Sequence, residues 1–318
     1  MIYKNLIKLI ITVFLLLLVF SRVEVGLLWL NIKELSLPAL ALILLFSLSS
    51  IALAARRSQI SIQEKAFTRI SLWESYKYYL MGMFYNNLLP TSIGGDLFRI
   101  YLLEKKAGHI YRVSSTVFIE RLSGLLLTLF LALFSALILY TNQNSIYILY
   151  LSGFLLFSCI IILLLFSPSF LLLLKRKSSI LALQKLLQII ERFLTAVQEY
   201  RHNPRLIGQI LFLSLLYQLS DILVAYCLGL IIGIEVNFLY FLFFIPLLYI
   251  ITLLPVSING LGLRENTLVY LFSTIGTASH KALLLSLLIY LDRLVKGLVG
   301  ALLLLAATQL NQQRNELN

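Results

Sequence analysis

Arg99 and Arg264 each close a twelve-residue segment that interrupts an apolar stretch: LLPTSIGGDLFR, Leu88 to Arg99, and LLPVSINGLGLR, Leu253 to Arg264. Aligned without a gap, the segments share seven of twelve positions, the proline, the serine and the final arginine among them. Pro90 and Pro255 cannot continue a helix, while Gly94 and Gly95, or Gly260 and Gly262, permit close backbone approach. The chain can then restart a helix, with Ser92 or Asp96 as N-cap in the first copy and Ser257 or Asn259 in the second. A restarted helix presents free N–H groups and a positive dipole end, which is an anion site. Arg99 and Arg264 follow within the next turn or so, and a guanidinium matches phosphate bidentately. The expected ligand carries a phosphate. The same arginines could instead pair with Asp96, Glu120, Glu265 or Asp292 and hold a scaffold together, since buried charges are paired in either case.

The surroundings restrict what such a device can serve. Hydrophobic residues make up 60% of the 318, charged residues 13%, and the mean hydropathy is +0.94. Globular chains hold roughly half apolar and a quarter charged residues, so this is a polytopic membrane protein. At about 20 residues per crossing helix there is room for roughly six to eight membrane segments and no separate soluble domain. The net charge of +12 reads as loop charge that sets orientation and meets anionic headgroups, not as a nucleic-acid surface. Cys159 and Cys227 lie in apolar runs and His109, His202 and His280 are scattered, so neither a disulfide framework nor a metal site is expected. P-loop, G-x-S-x-G and Cys-His patterns are missing, so no catalytic residue, cofactor or nucleotide drive is assigned. The basic start and apolar run of the N-terminus lack a small-x-small cleavage site and read as a retained first helix.

Hydropathy predicts an all-α chain with six spanning helices, near 5–22, 37–55, 114–140, 146–172, 206–232 and 282–307. Two further stretches, 71–107 and 238–276, are broken near their middles by the paired segments and read as re-entrant helical hairpins. A non-helical break at membrane depth requires protein or a water-filled cavity around it. With the N-terminus inside, eighteen basic residues fall on the cytoplasmic side and three outside, which sets both termini in the cytoplasm. The first half, 1–140, and the second, 141–318, each read as span, span, hairpin, span, and three spans invert the second half. ERL at Glu120 to Leu122 recurs as DRL at Asp292 to Leu294, a second matched element of an inverted-topology repeat. Broken helices of such repeats meet near the midplane to form a substrate site. Glu120 with Arg121, and Asp292 with Arg293, read first as structural pairs and second, with the motif residues, as substrate-binding candidates. Asp221, in the fifth span, is a candidate for ion or proton coupling or a hydrogen-bonded packing residue. Between the halves, 178–202 reads as an amphipathic helix on the cytoplasmic surface, and the aromatic residues around Trp73, Tyr76, Tyr78, Tyr79, Phe84 and Tyr85 as an interfacial belt.

NNLLPTSIGGDLFR at Asn86 to Arg99, ERLSG at Glu120 to Gly124 and LPVSINGLGLRE at Leu254 to Glu265 resemble the marker motifs of the lysylphosphatidylglycerol synthase transmembrane-region family, also called flippase-like or UPF0104. The resemblance covers essentially the whole chain and adds Asn86 and Asn87 to the candidate substrate-binding residues. It implies a bacterial inner-membrane protein. Members fused to a soluble aminoacyl-transfer domain make lysylphosphatidylglycerol and move it to the outer leaflet; stand-alone members are held to move phospholipids, polyprenyl-linked lipids or hopanoids. The residues here match the membrane part only, so aminoacyl transfer does not follow. The expected function is translocation of a phosphate-bearing lipid, with membrane lipids as partners and a lipid-modifying enzyme as a further candidate partner. The alternatives are a membrane enzyme transferring an aminoacyl or glycosyl group, for which Asp96, Glu104 and Glu120 are the nearest acids, and a non-transporting assembly partner.

Overall fold

Apolar runs with few breakers form long helices, and among the described residues all regular structure is helical. The structure, a computed structural model, describes residues 2–21, 23–66, 68–89, 94–139, 152–158, 160, 166–167, 181–254 and 256–316. In chain order, α1 is Ile2–Phe20, α2 Val25–Lys33, α3 Leu37–Ala66, α4 Leu72–Leu88, α5 Gly94–Ala107 and α6 Ile110–Leu139. After these come α7, Leu181–Gln198, continued by a 3-10 turn at Glu199–His202, then α8, Pro204–Ile231, and α9, Phe238–Thr252. A second 3-10 turn, Ile258–Gly260, precedes α10, Leu263–Ser273, and α11, Ser279–Glu316. By length and composition α3, α6 and α8 can each cross a membrane, and Ile10–Phe20 and Phe238–Thr252 are shorter apolar helices. The segments expected at 5–22, 37–55, 114–140, 206–232 and 282–307 each fall on one helix, while 146–172 lies largely outside the described residues.

One boundary departs from expectation in a way that matters. α3 runs to Ala66 rather than ending near 55, because Arg57, Ser58, Ser61 and Lys65 are buried against protein. They are not loop residues facing water. Tyr200 explains one of them: the Lys65 ammonium lies 4.8 Å over its ring and donates to the Glu199 carbonyl at 2.7 Å.

The two broken stretches fold back on themselves. α4 opens with a capping box, in which Ser71 Oγ accepts from the Glu74 amide at 3.1 Å and Glu74 accepts from the Ser71 amide at 2.9 Å. At the far end of the partner arm, Lys106 on α5 donates to Glu74 at 2.6 Å. That bond, with the Ser71 amide, holds the Glu74 carboxyl below its usual range. Toward the tip, Asn86 Oδ1 accepts from the Gly95 amide at 2.8 Å. The arms touch so closely there that a Cβ on Gly95 would sit 2.0 Å from the Gly82 carbonyl. α9 and α10 form the second hairpin, closed by Phe272 packed edge-on against Phe241 and Phe244.

One arm of each hairpin crosses to the other half, while the second arm stays against its own: α5 on α6 and α10 on α11. α4 packs chiefly on α11, the helix that follows the second hairpin, and α9 packs on α6, the helix that follows the first. α3 and α8, which precede the hairpins, pack on one another. The α4–α11 seam is tight because Gly300 leaves the Leu80 carbonyl where a Cβ would be 2.0 Å away. The largest apolar cluster sits among α8, α9, α10 and α11. α7 lays Phe193 and Val197 against Phe118 and Ile119 of α6, which accounts for the apolar stripe of the predicted 178–202 helix.

Candidate functional site

Position 99 lies one turn into α5, and its side chain crosses the glycine gap at Gly82 into a buried polar cluster. Arg99 donates to Glu120 at 2.8 Å and to Ser58 at 3.2 Å, contacts Asp96 at 3.4 Å and stacks 3.7 Å over the Tyr79 ring. A second guanidinium shares the same carboxylate oxygen: Arg57 on α3 lies 3.9 Å from Glu120 and donates to Tyr79 at 2.8 Å and to Ser214 of α8 at 2.7 Å. Glu120 is 1% exposed, so water does not screen this group. Arg121, one residue on, points elsewhere and binds Asp96. Three guanidiniums therefore face two carboxylates. These groups line a cavity of about 520 Å³ that also takes in Asn86, Tyr217, Tyr249 and, from the second break, Leu253.

The second cluster is built differently. Arg264 binds its neighbour Glu265, donates to Ser286 at 3.2 Å and stacks 4.4 Å over Tyr290. Arg293 on α11 donates to Asn87 Oδ1 at 2.9 Å and to the Asn86 carbonyl at 3.2 Å, and Asn87 Nδ2 donates back to the Arg293 carbonyl at 3.0 Å. Among the described residues Arg293 pairs with no carboxylate. Asp292 turns instead to Lys296 at 2.8 Å, which also reaches Asp221 at 3.5 Å, and Asp221 accepts from the Tyr249 hydroxyl. Asn259 donates to the Asn87 carbonyl at 3.2 Å, so the second break is in direct contact with the end of α4. A cavity of about 380 Å³ collects Asn86, Arg121, Asn259, Arg264, Asp292 and Arg293. Met83, Asn86, Arg121, Tyr217 and Tyr249 line both cavities and form the wall between them.

Several expectations change on contact with this geometry. The pairs read from ERL and DRL are not made within each motif: Glu120 takes Arg99 and Arg57, Arg121 takes Asp96, Asp292 takes Lys296, and Arg293 takes two asparagines. Neither Ser257 nor Asn259 caps α10. Its cap is Gly262, whose φ of 78° suits glycine and whose amide donates to Glu265 at 2.6 Å. Asn259 adopts φ 52° next to Gly260 at φ 76°, and the Ile258 amide is held by Thr12 of α1 at 3.0 Å. The amides of Gly95 and Gly262 are thus already bonded, and the guanidiniums are what face the cavities. Gly94 and Gly95 serve packing, and the Ser257 hydroxyl is buried with no hydrogen-bond partner. Pro90, Ser92 and Pro255 lie outside the described residues. Glu104 lines neither cavity. Tyr79 belongs to the buried cluster, not to a belt, although Trp73 is well exposed.

Arg57, Tyr79, Tyr217, Tyr249 and Lys296 join the site without having been selected beforehand. Lys296 had a legible signal, a lysine one helical turn after Asp292 inside an apolar run. Arg57 had a weaker one: Ser50, Ala54, Arg57, Ser58 and Ser61 make a small and polar stripe at helical spacing.

The family model of the lysylphosphatidylglycerol synthase TM region matches residues 5–303. The chain belongs to that family. It matches no curated protein and no solved structure. Membership makes this lysylphosphatidylglycerol synthase TM-region protein a membrane protein associated with lipid handling, and both cavities lie among its apolar helices.

Proposed function

We propose that the protein is a lipid translocase that passes a phosphate-bearing headgroup through the two adjoining cavities while the lipid chains stay in the bilayer. The observation that carries this reading is Arg293: a partly buried guanidinium held by neutral asparagines beside the contact of the two hairpins. A buried cation without a carboxylate is expensive unless an anion completes it. Arg264 and Arg121 line the same cavity, and Arg57 with Arg99 leaves the neighbouring one with an excess of positive charge. Volumes of about 380 and 520 Å³ are of the size that holds a small polar headgroup.

In this reading the hairpins are re-entrant and the halves, 1–140 and 141–318, form an inverted-topology repeat, supported by the exchanged packing of α4 on α11 and α9 on α6. The basic-residue bias sets both termini in the cytoplasm of a multi-pass protein of the bacterial inner membrane. Group transfer fits less well, since Asp96 and Glu120 are engaged by arginines. The test is leaflet exchange of labelled anionic phospholipids in proteoliposomes. Losing a charge-assisted contact of about 1.5–3 kcal/mol predicts that Arg293→Gln slows exchange by roughly ten- to a hundred-fold in a protein that still folds. Exchange at the wild-type rate by both Arg293→Gln and Arg264→Gln, for every anionic lipid tried, would overturn the reading.

A further inference from the structure

The smaller cavity is also lined by acids. Asp292 and Asp221 share a single ammonium, Lys296, at 2.8 and 3.5 Å. Two carboxylates against one lysine leave one negative charge over. Asp221 is fully engaged, with one oxygen toward Lys296 and the other accepting from Tyr249. Asp292 is not: its Oδ2 contacts Lys296, but Oδ1 makes no hydrogen bond of good geometry, although the residue is 6% exposed and lines the cavity. Ser47 of α3 faces it, and that hydroxyl also lacks a well-formed bond. A buried carboxylate oxygen with no more than a loosely placed hydroxyl beside it, in low dielectric, is short of a positive partner. The position a metal ion would take between the two carboxylates is already filled by the Lys296 ammonium, which leaves Oδ1 room for a proton.

We infer that Asp292 is a proton-binding site, and, resting on the translocase reading, that its protonation is linked to headgroup binding at Arg293. The proton comes from water in the cavity and adds to Oδ1, converting the carboxylate to a carboxylic acid whose O–H can donate to Ser47 Oγ; it leaves again to water. Lys296 stays an ammonium and keeps Asp221, so the triad moves from one negative charge to neutrality. The other groups around Asp292 are fixed in charge. Tyr249 faces it from α9, Tyr217 faces Asp221 and Lys296 from α8, Tyr76 faces Lys296 from α4, and Arg264, Arg293 and Arg121 line the cavity from α10, α11 and α6. Because Arg293 is the next residue on α11, neutralising Asp292 removes a negative charge beside the proposed anion site. Proton and anion then assist each other by linkage, which makes a proton gradient a driving force for lipid movement.

Infrared difference spectra of the purified protein in phosphatidylglycerol nanodiscs, taken between acid and alkaline pH, test the site without any transport assay. The wild type and Glu104→Gln should show a protonated carboxyl band that Asp292→Asn abolishes. Asp292→Glu should retain it at a shifted frequency, which separates loss of the group from loss of the fold. No such band in the wild type, or one that survives in a folded Asp292→Asn protein, would overturn the site. Exchange of labelled phosphatidylglycerol in phosphatidylglycerol and phosphatidylcholine vesicles then tests the coupling. An imposed pH gradient should change wild-type exchange several-fold and leave Asp292→Asn indifferent. Wild-type exchange that ignores the gradient would overturn the coupling. Absence of exchange for any lipid would sink the translocase reading and the coupling with it, while the spectra still decide whether Asp292 binds a proton.

Discussion

Glu120 presents one oxygen to two guanidiniums, with Arg99 at 2.8 Å and Arg57 at 3.9 Å, and a tyrosine hydroxyl at 3.3 Å. Its other oxygen has no hydrogen-bond partner among the described residues. Either arginine alone can neutralise this carboxylate, so their removal should be strongly non-additive. Arg57→Gln and Arg99→Gln are expected to cost about 1 kcal/mol each, whereas the double variant strands a buried charge and should cost about 3–5 kcal/mol. Chemical denaturation of the three variants in detergent checks this. Adding Glu120→Gln to the double variant should return much of the loss, because the stranded charge then disappears.

At the scale of elements, the hairpins depend on their ends as much as on their tips. The Ser71 and Glu74 box sets where α4 begins, and Glu74 also receives Lys106 from α5. Ser71→Ala should destabilise the first hairpin by about 1 kcal/mol and Ser71→Asp by little, read as the midpoint of thermal unfolding followed by helix signal. The helix ranges were legible beforehand, because prolines and apolar periodicity are local properties, whereas the caps were not. The hairpin ranges and the long helices follow from such signals. The pairing of charges was not legible: ERL and DRL place a carboxylate next to an arginine in sequence, but adjacent residues on a helix point about a quarter-turn apart and meet different neighbours. Arg57, just past the span expected at 37–55, is hard to read for a related reason. Its run of polar residues looks like exposed chain until α8 supplies Ser214 to cover it.

For the molecule as a whole, the exchange of hairpin arms makes a claim about sidedness. An inverted repeat puts the open ends of the two hairpins on opposite faces of the membrane. In a background without Cys159 and Cys227, Lys106→Cys and Thr274→Cys should therefore react with an impermeant maleimide from opposite sides of sealed vesicles. Reaction of both from the same side would refute the repeat. The packing of α4 on α11 also bears on how the chain is made. The main partner of the first hairpin, α11, leaves the ribosome about 190 residues after α4. At roughly 5–20 residues per second, α4 waits on the order of ten to forty seconds with the asparagine end that will grip Arg293 unclasped. Assembly of the polar centre is in that sense an event after synthesis, and a chain stopped short of α11 would present the membrane's quality-control proteases with an open first half.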